Sequence, residues 1–83
     1  MFKLIIYNNG ELVLDKSFET IDEMSDAMLA IREVALLYDC RDYGKIKLKN
    51  SKPKFYKNKS RIIQKHYLNE KLIRKLTMTI EKL

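Results

Sequence analysis

Asn9-Gly10 interrupts a run of β-formers and dictates a hairpin. Residues 2–7 and 12–18 flank it, and Asn-Gly suits the two positive-φ positions of a type I′ turn. With Asn9-Gly10 as the loop, Tyr7 faces Leu12, Ile6 faces Val13 and Ile5 faces Leu14. One face then holds Ile5, Tyr7, Leu12 and Leu14, and the other Phe2, Leu4, Ile6 and Val13. A hairpin wet on one side alternates polar and apolar residues; this one is apolar on both, which predicts cover on each face.

A helix follows. Thr20-Ile21-Asp22-Glu23 has the form of a capping box, with Thr20 as N-cap, and its two acids suit the positive end of the helix dipole. The helix is predicted to run to about residue 38. Ile21, Met24, Ala27, Met28, Ile31, Val34, Ala35 and Tyr38 share one broad face at helical spacing, which marks them as core. Leu29, Leu36 and Leu37 fall outside that face and are candidates for a protein interface.

Residues 43–61, YGKIKLKNSKPKFYKNKSR, carry the clearest functional signal. They hold Lys45, Lys47, Lys49, Lys52, Lys54, Lys57, Lys59 and Arg61, no acid, and the aromatics Phe55 and Tyr56. Residues 45–49 alternate strictly, which predicts a half-buried strand with its lysines outward. Asn50-Ser51-Lys52-Pro53 is turn chemistry, and residues 54–58 can return as a fourth strand. In that hairpin Leu48 faces Phe55 in the core, while Lys49 faces Lys54 and Lys47 faces Tyr56 on the outside. Like charges placed opposite each other destabilise a sheet, so such a row belongs to a protected edge or a binding surface.

Ser60 is an N-cap candidate for a last helix, with Ile62, Ile63, His66, Ile73, Leu76 and Ile80 on one side and Lys71, Arg74, Lys75 and Lys82 on the other. Residues 76–83 also alternate and contain strand-favouring threonines, so they can be read as an extra strand. The expected fold class is α+β: a small antiparallel sheet of two β-hairpins with two α-helices, in ββαββα order. The 83 residues form one expected domain, with an acidic ββα half over residues 1–42 and a basic ββα half over residues 43–83. The two halves carry formal charges of −5 and +11, an asymmetry that points to an anionic partner for the basic half.

Several classes have no support. No apolar run is long enough to span a membrane, and the N-terminus turns polar too soon for a signal peptide. The lone Cys40 fits a reducing, cytoplasmic setting, and with the lone His66 it makes no zinc site. Gly10 and Gly44 are the only glycines, so there is no phosphate-binding loop, and no cofactor, metal or small-molecule substrate is expected.

The expectation is a small non-catalytic binding protein. Lys45, Lys47, Lys49, Lys52, Lys54, Tyr56, Lys57, Lys59 and Arg61 would contact nucleic-acid phosphates or a nucleoprotein complex. Alternate strand positions lie about 7 Å apart, and the excess of lysine over arginine favours phosphate contact over base reading. The alternative is a protein partner: an accessory protein of a phage or mobile element that inhibits a host enzyme or defence complex, anti-CRISPR-like in kind. A homodimer through the first hairpin or through Leu29 and Leu36 would also use the apolar excess. A remote third reading is a metal-independent ribonuclease built from Tyr56, Lys57, Arg61 and His66.

Overall fold

The computed structural model describes residues 1–83. Strands β1 (Phe2–Asn8) and β2 (Glu11–Phe18) form the first hairpin, and α1 (Ile21–Tyr43) follows. Then come β3 (Lys47–Asn50), β4 (Lys54–Tyr56), β5 (Lys59–Leu68) and β6 (Lys71–Lys82). All pairings are antiparallel. The sheet runs β2-β1-β6-β5-β3, with β4 also on β5. The last strand lies in the middle, so residues from both ends of the chain share one core.

The first hairpin turns where its sequence demands. Asn9 and Gly10 have φ of 51° and 84°, and Tyr7 pairs with Leu12. The register then departs from the simple alternation. A bulge beyond the Ile6/Tyr7 position makes Ile6 face Leu14 and Ile5 face Asp15. One extra residue in a strand reverses the faces beyond it. Leu14 therefore joins Leu4 and Ile6 on the helix side, while Ile5 and Tyr7 lie on the far side, which no element covers.

Thr20 caps α1 as its sequence implies: its hydroxyl accepts the Glu23 N–H at 3.2 Å. The helix passes residue 38 and stops at Gly44, whose N–H donates to the Cys40 carbonyl at φ 84°. Met24 and Ala35 are buried, and Ala27, Met28 and Ile31 are partly so. They pack on Leu4, Ile6, Phe18, Leu76 and Met78. Ile21, Val34 and Tyr38, expected in the core, are exposed. Five strands side by side span about 19 Å between outer axes, and one helix is about 10 Å across. The helix lies closest to β1 and β2 and reaches β5 and β6 through Asp39, leaving part of the sheet beside it open.

The second half overturns the ββαββα expectation: there is one helix and six strands. In place of a helix from Ser60, β5 and β6 form the longest hairpin, joined by Asn69 and Glu70, whose φ values are 49° and 69°. A helical reading of Ile62, His66, Ile73, Leu76 and Ile80 leaves Gln64 and Met78 outside the core, yet both are buried. The period is two: Ile62, Gln64 and His66 on β5, and Leu76, Met78 and Ile80 on β6, face α1. The extra strand read at residues 76–83 is the end of β6.

The expected basic hairpin over residues 45–58 is also different. β3 and β4 do not pair with each other; they lie end to end on the outer edge of β5. Ser51 bridges the gap: its N–H donates to the Ile63 carbonyl at 2.8 Å, and its hydroxyl accepts the Ile63 N–H at 2.9 Å. Pro53 lacks a donor, which suits a break in an edge strand. The true turn is Lys57-Asn58. Leu48 faces His66, Phe55 faces Ser60, and Phe55 is 78% exposed, so the Leu48–Phe55 core contact does not exist.

Candidate nucleic-acid interface

Directly paired residues of an antiparallel sheet share a face. The register therefore assigns the uncovered face residue by residue. Along β5, Lys59, Arg61, Ile63, Lys65 and Tyr67 point away from α1, because Ser60, Ile62, Gln64 and His66 point toward it. Pairing extends each position into a row. Lys65 lies between Lys49 of β3 and Lys75 of β6. Ile63 leads to Thr77 and on to Tyr7. Arg61 lies between Lys54 and Thr79, and Tyr67 lies beside Lys47.

The row Lys49–Lys65–Lys75 sets three ammonium groups on adjacent strands, whose axes are about 4.8 Å apart. None of the three has an acid within ion-pair distance. On this face only Lys3, with Asp15 at 3.4 Å, and Lys59, with Glu81 at 3.9 Å, are paired. The helix acids Asp22, Glu23, Asp26 and Glu33 lie on the other side of the sheet and do not cover the lysines.

Of the residues singled out in the sequence, Lys47, Lys49, Lys54, Tyr56, Lys59 and Arg61 come together on this face. Lys45 lies in the link before β3, Lys52 in the link to β4, and Lys57 in the β4–β5 turn at φ 42°. Arg61 leans on Tyr56, with its guanidinium 5.9 Å from the ring centre and Nη2 3.4 Å from the hydroxyl. Its Nε is buried and makes no hydrogen bond. Sequence reasoning missed Lys65, Lys75, Tyr7 and Tyr67. The alternation Lys59-Arg61-Ile63-Lys65-Tyr67 is the signal for Lys65 and Tyr67, visible once β5 is read with period two, whereas Lys75 and Tyr7 join only through strand pairing.

The other face carries a buried polar cluster that sequence reasoning also missed. Asp39 of α1 accepts Arg74 Nε and Nη2, each at 2.8 Å, and lies 2.6 Å from His66 Nδ1. Arg74 Nη1 donates to Asn8 at 3.1 Å. The Gln64 amide, turned with its nitrogen 3.0 Å from His66 Nε2, brings its oxygen within 3.0 Å of Arg32 Nη2. His66 then donates from Nδ1 to Asp39, and the groups form one continuous chain. Burial pushes the Asp39 carboxyl up, but the Arg74 hydrogen bonds and then His66 outweigh it and hold the carboxyl below its ordinary value. The Arg74 guanidinium is raised, chiefly by its hydrogen bonds to Asp39.

His66 is 0% exposed and lies on the opposite face from Tyr56 and Arg61, so the four residues considered for a ribonuclease share no site. Cys40 is a free, exposed thiol, and no cluster of three or more metal-ligating side chains occurs. The three leucines proposed for an interface do not form one surface. Leu29 and Leu36 border a cleft with Leu48 and Gln64, whereas Leu37 lies beside Val34, Tyr38 and Arg41. A second, mostly apolar cleft of about 380 Å³ lies between α1 and strands β1, β2 and β6, lined by Val13, Ile31, Val34, Tyr38, Arg74 and Leu76 among others. No helix is long and apolar enough to cross a membrane.

No protein-family model, curated protein or solved structure matches the chain.

Proposed function

We propose that this chain is a non-catalytic nucleic-acid-binding protein that holds the phosphate backbone on its uncovered sheet face. The observation that carries this reading is the unpaired row Lys49–Lys65–Lys75. Three adjacent like charges lower stability, and here no acid lies within ion-pair distance of any of them. An anionic ligand supplies the missing countercharge. Lys47, Lys54 and Arg61 enlarge the same field. Lysine predominates, so binding is governed by phosphate contacts and is weakly sequence-selective. The one largely buried acid–base group, Asp39–His66–Arg74, lies between α1 and the sheet, on the face opposite this surface.

The test is a salt series of fluorescence anisotropy with labelled oligonucleotides. Each phosphate contact adds about 0.7–0.9 to the slope of log affinity against log salt, so three contacts from the row give about 2–3. Lys65→Glu with Lys75→Glu lowers both affinity and slope. No binding by the unaltered protein at low salt overturns the proposal.

A second reading has its own support. Leu37 is 69% exposed and Val34 and Tyr38 are half exposed beside the cleft between α1 and the sheet, a surface that suits a protein partner, including the protein part of a nucleoprotein or an enzyme to be inhibited. Leu37→Asp would abolish such an association while leaving oligonucleotide binding intact.

A further inference from the structure

The uncovered face is not uniformly charged. Its cationic rows, Lys49–Lys65–Lys75 and Lys54–Arg61, are separated by the row Ile63–Thr77–Tyr7, which carries no charge. Tyr67 extends the apolar surface past the lysine row, beside Lys47. Positions two apart along β5 are separated by roughly 7 Å, so each cationic row lies one step from an apolar or aromatic one.

We infer that the ligand of this face is single-stranded nucleic acid, with its bases on the Ile63, Tyr7 and Tyr67 surface and its phosphates on the lysine row. The inference rests on the reading proposed above and narrows it. Three observations support it. A duplex presents phosphates outward and hides its base faces, so it offers nothing to an apolar row between two cationic ones. Unpaired bases expose the flat surfaces that stack on aromatic side chains. The shape agrees: the major groove of a duplex, about 12 Å wide, admits a helix or a two-stranded ribbon. A sheet about 19 Å across cannot enter it face-on. Finally, the Arg61 guanidinium lies 5.9 Å from the Tyr56 ring centre at the edge of this surface, which sets a cation beside an aromatic ring. Thr77 and Thr79 add hydroxyls within the sheet centre, where base edges would lie.

The chain has five tyrosines and no tryptophan, so stacking on Tyr7 and Tyr67 would appear as a partial quenching of its tyrosine emission. The experiment titrates the full-length protein with 16-nucleotide oligo-dT, oligo-U and a duplex of equal length, following anisotropy and tyrosine emission. The expected result is single-strand binding at least tenfold tighter than duplex binding, with quenched tyrosine emission. Tyr7→Leu and Tyr67→Leu should each weaken single-strand binding by about tenfold, the scale of one base–aromatic stack, and leave duplex binding unchanged. Lys65→Glu should weaken both. The two single strands separate DNA from RNA as the source of the same chemistry. Equal affinity for duplex and single strand, or unquenched emission on saturation, overturns the inference while the phosphate-binding reading stands. Absence of binding to every probe overturns both. Circular dichroism of each variant confirms the fold. Should a tyrosine variant unfold, the ratio of single-strand to duplex affinity of the unaltered protein decides the matter.

Discussion

Asp39→Asn isolates the buried cluster from every other source of stability. The substitution keeps the size of the side chain, so no cavity opens. It replaces a carboxylate that accepts two Arg74 bonds at 2.8 Å and faces His66 Nδ1 at 2.6 Å with an amide whose NH2 must face donors. The Asp39 and His66 side chains are almost wholly enclosed, and that of Arg74 is largely so. Removing one member of a buried ion pair costs about 3–5 kcal/mol, because the remaining charge stays buried without a partner. A domain of this length has a total stability of about 4–12 kcal/mol, so the loss is a large share of it. Urea unfolding at pH 7, followed by far-ultraviolet circular dichroism, reads the change. For an m-value of about 1.5 kcal/mol/M, the midpoint should fall by about 2–3 M with m unchanged. The acid limb gives a second reading. The folded Asp39 carboxyl lies below its unfolded value of about 3.9, so its contribution is complete above that pH and is lost as pH falls through the folded value. The stability curves of the parent and the Asn variant should therefore converge below about pH 4. A midpoint shift under about 0.5 M at pH 7, or parallel curves down to acid pH, would refute the view that this cluster ties α1 to the sheet.

Two further predictions follow from the packing and the turns. Leu76→Ala, at a 1% exposed central position, should destabilise by about 2–5 kcal/mol, whereas Phe55→Ala should change stability by less than about 0.5 kcal/mol; similar losses from both in urea unfolding would contradict the placement of β4. Glu70 holds φ of 69° in the β5–β6 turn, a conformation that Gly adopts without strain, so Glu70→Gly should raise stability by about 0.5–1 kcal/mol, and a lower thermal midpoint would argue against a tight two-residue turn there.

The first half of the chain was legible because local chemistry and tertiary environment agree there. Asn9-Gly10 fixes its turn wherever it stands, and Thr20 caps a helix whose core side carries Met24 and Ala35. What the pattern missed was the bulge beyond Tyr7, which moves Leu14 to the helix side through one unpaired residue. The second half misled because its turns lack glycine, and the turn signal of Asn69 is followed by Glu70. Glu70 is not a residue that announces a positive φ, so the boundary between β5 and β6 vanished and their apolar positions could be joined at helical spacing. The two buried polar residues of β5, Gln64 and His66, deepened the error: their partners are Asp39 and Arg32 on α1, side chains that no local pattern can supply. Of the candidate surface, the lysines before residue 61 were visible as composition, but Lys65 and Lys75 became part of it only through pairing across β3, β5 and β6.

The buried cluster and the open face are linked by register. The side chains of a strand alternate with period two, so a slip of one residue in β5 would carry His66 and Gln64 out to solvent and Lys65 and Ile63 under α1. The like charges of Lys49, Lys65 and Lys75 favour such a slip, since they repel in the native register. Asp39 opposes it: only with His66 and Arg74 directed at α1 does its carboxylate gain its partners, and only then are those two groups satisfied. The apolar rows alone specify the register less sharply, because Ile62 and Ile63 are neighbours and either can pack inward. A polar cluster on the covered face thus holds the strand in the one alignment that concentrates unpaired cations on the other. On this argument the repulsion of the lysine row and the burial of Asp39 are a single arrangement, in which specificity gained beneath the helix permits a surface that a purely apolar sheet of this size would tend to reject.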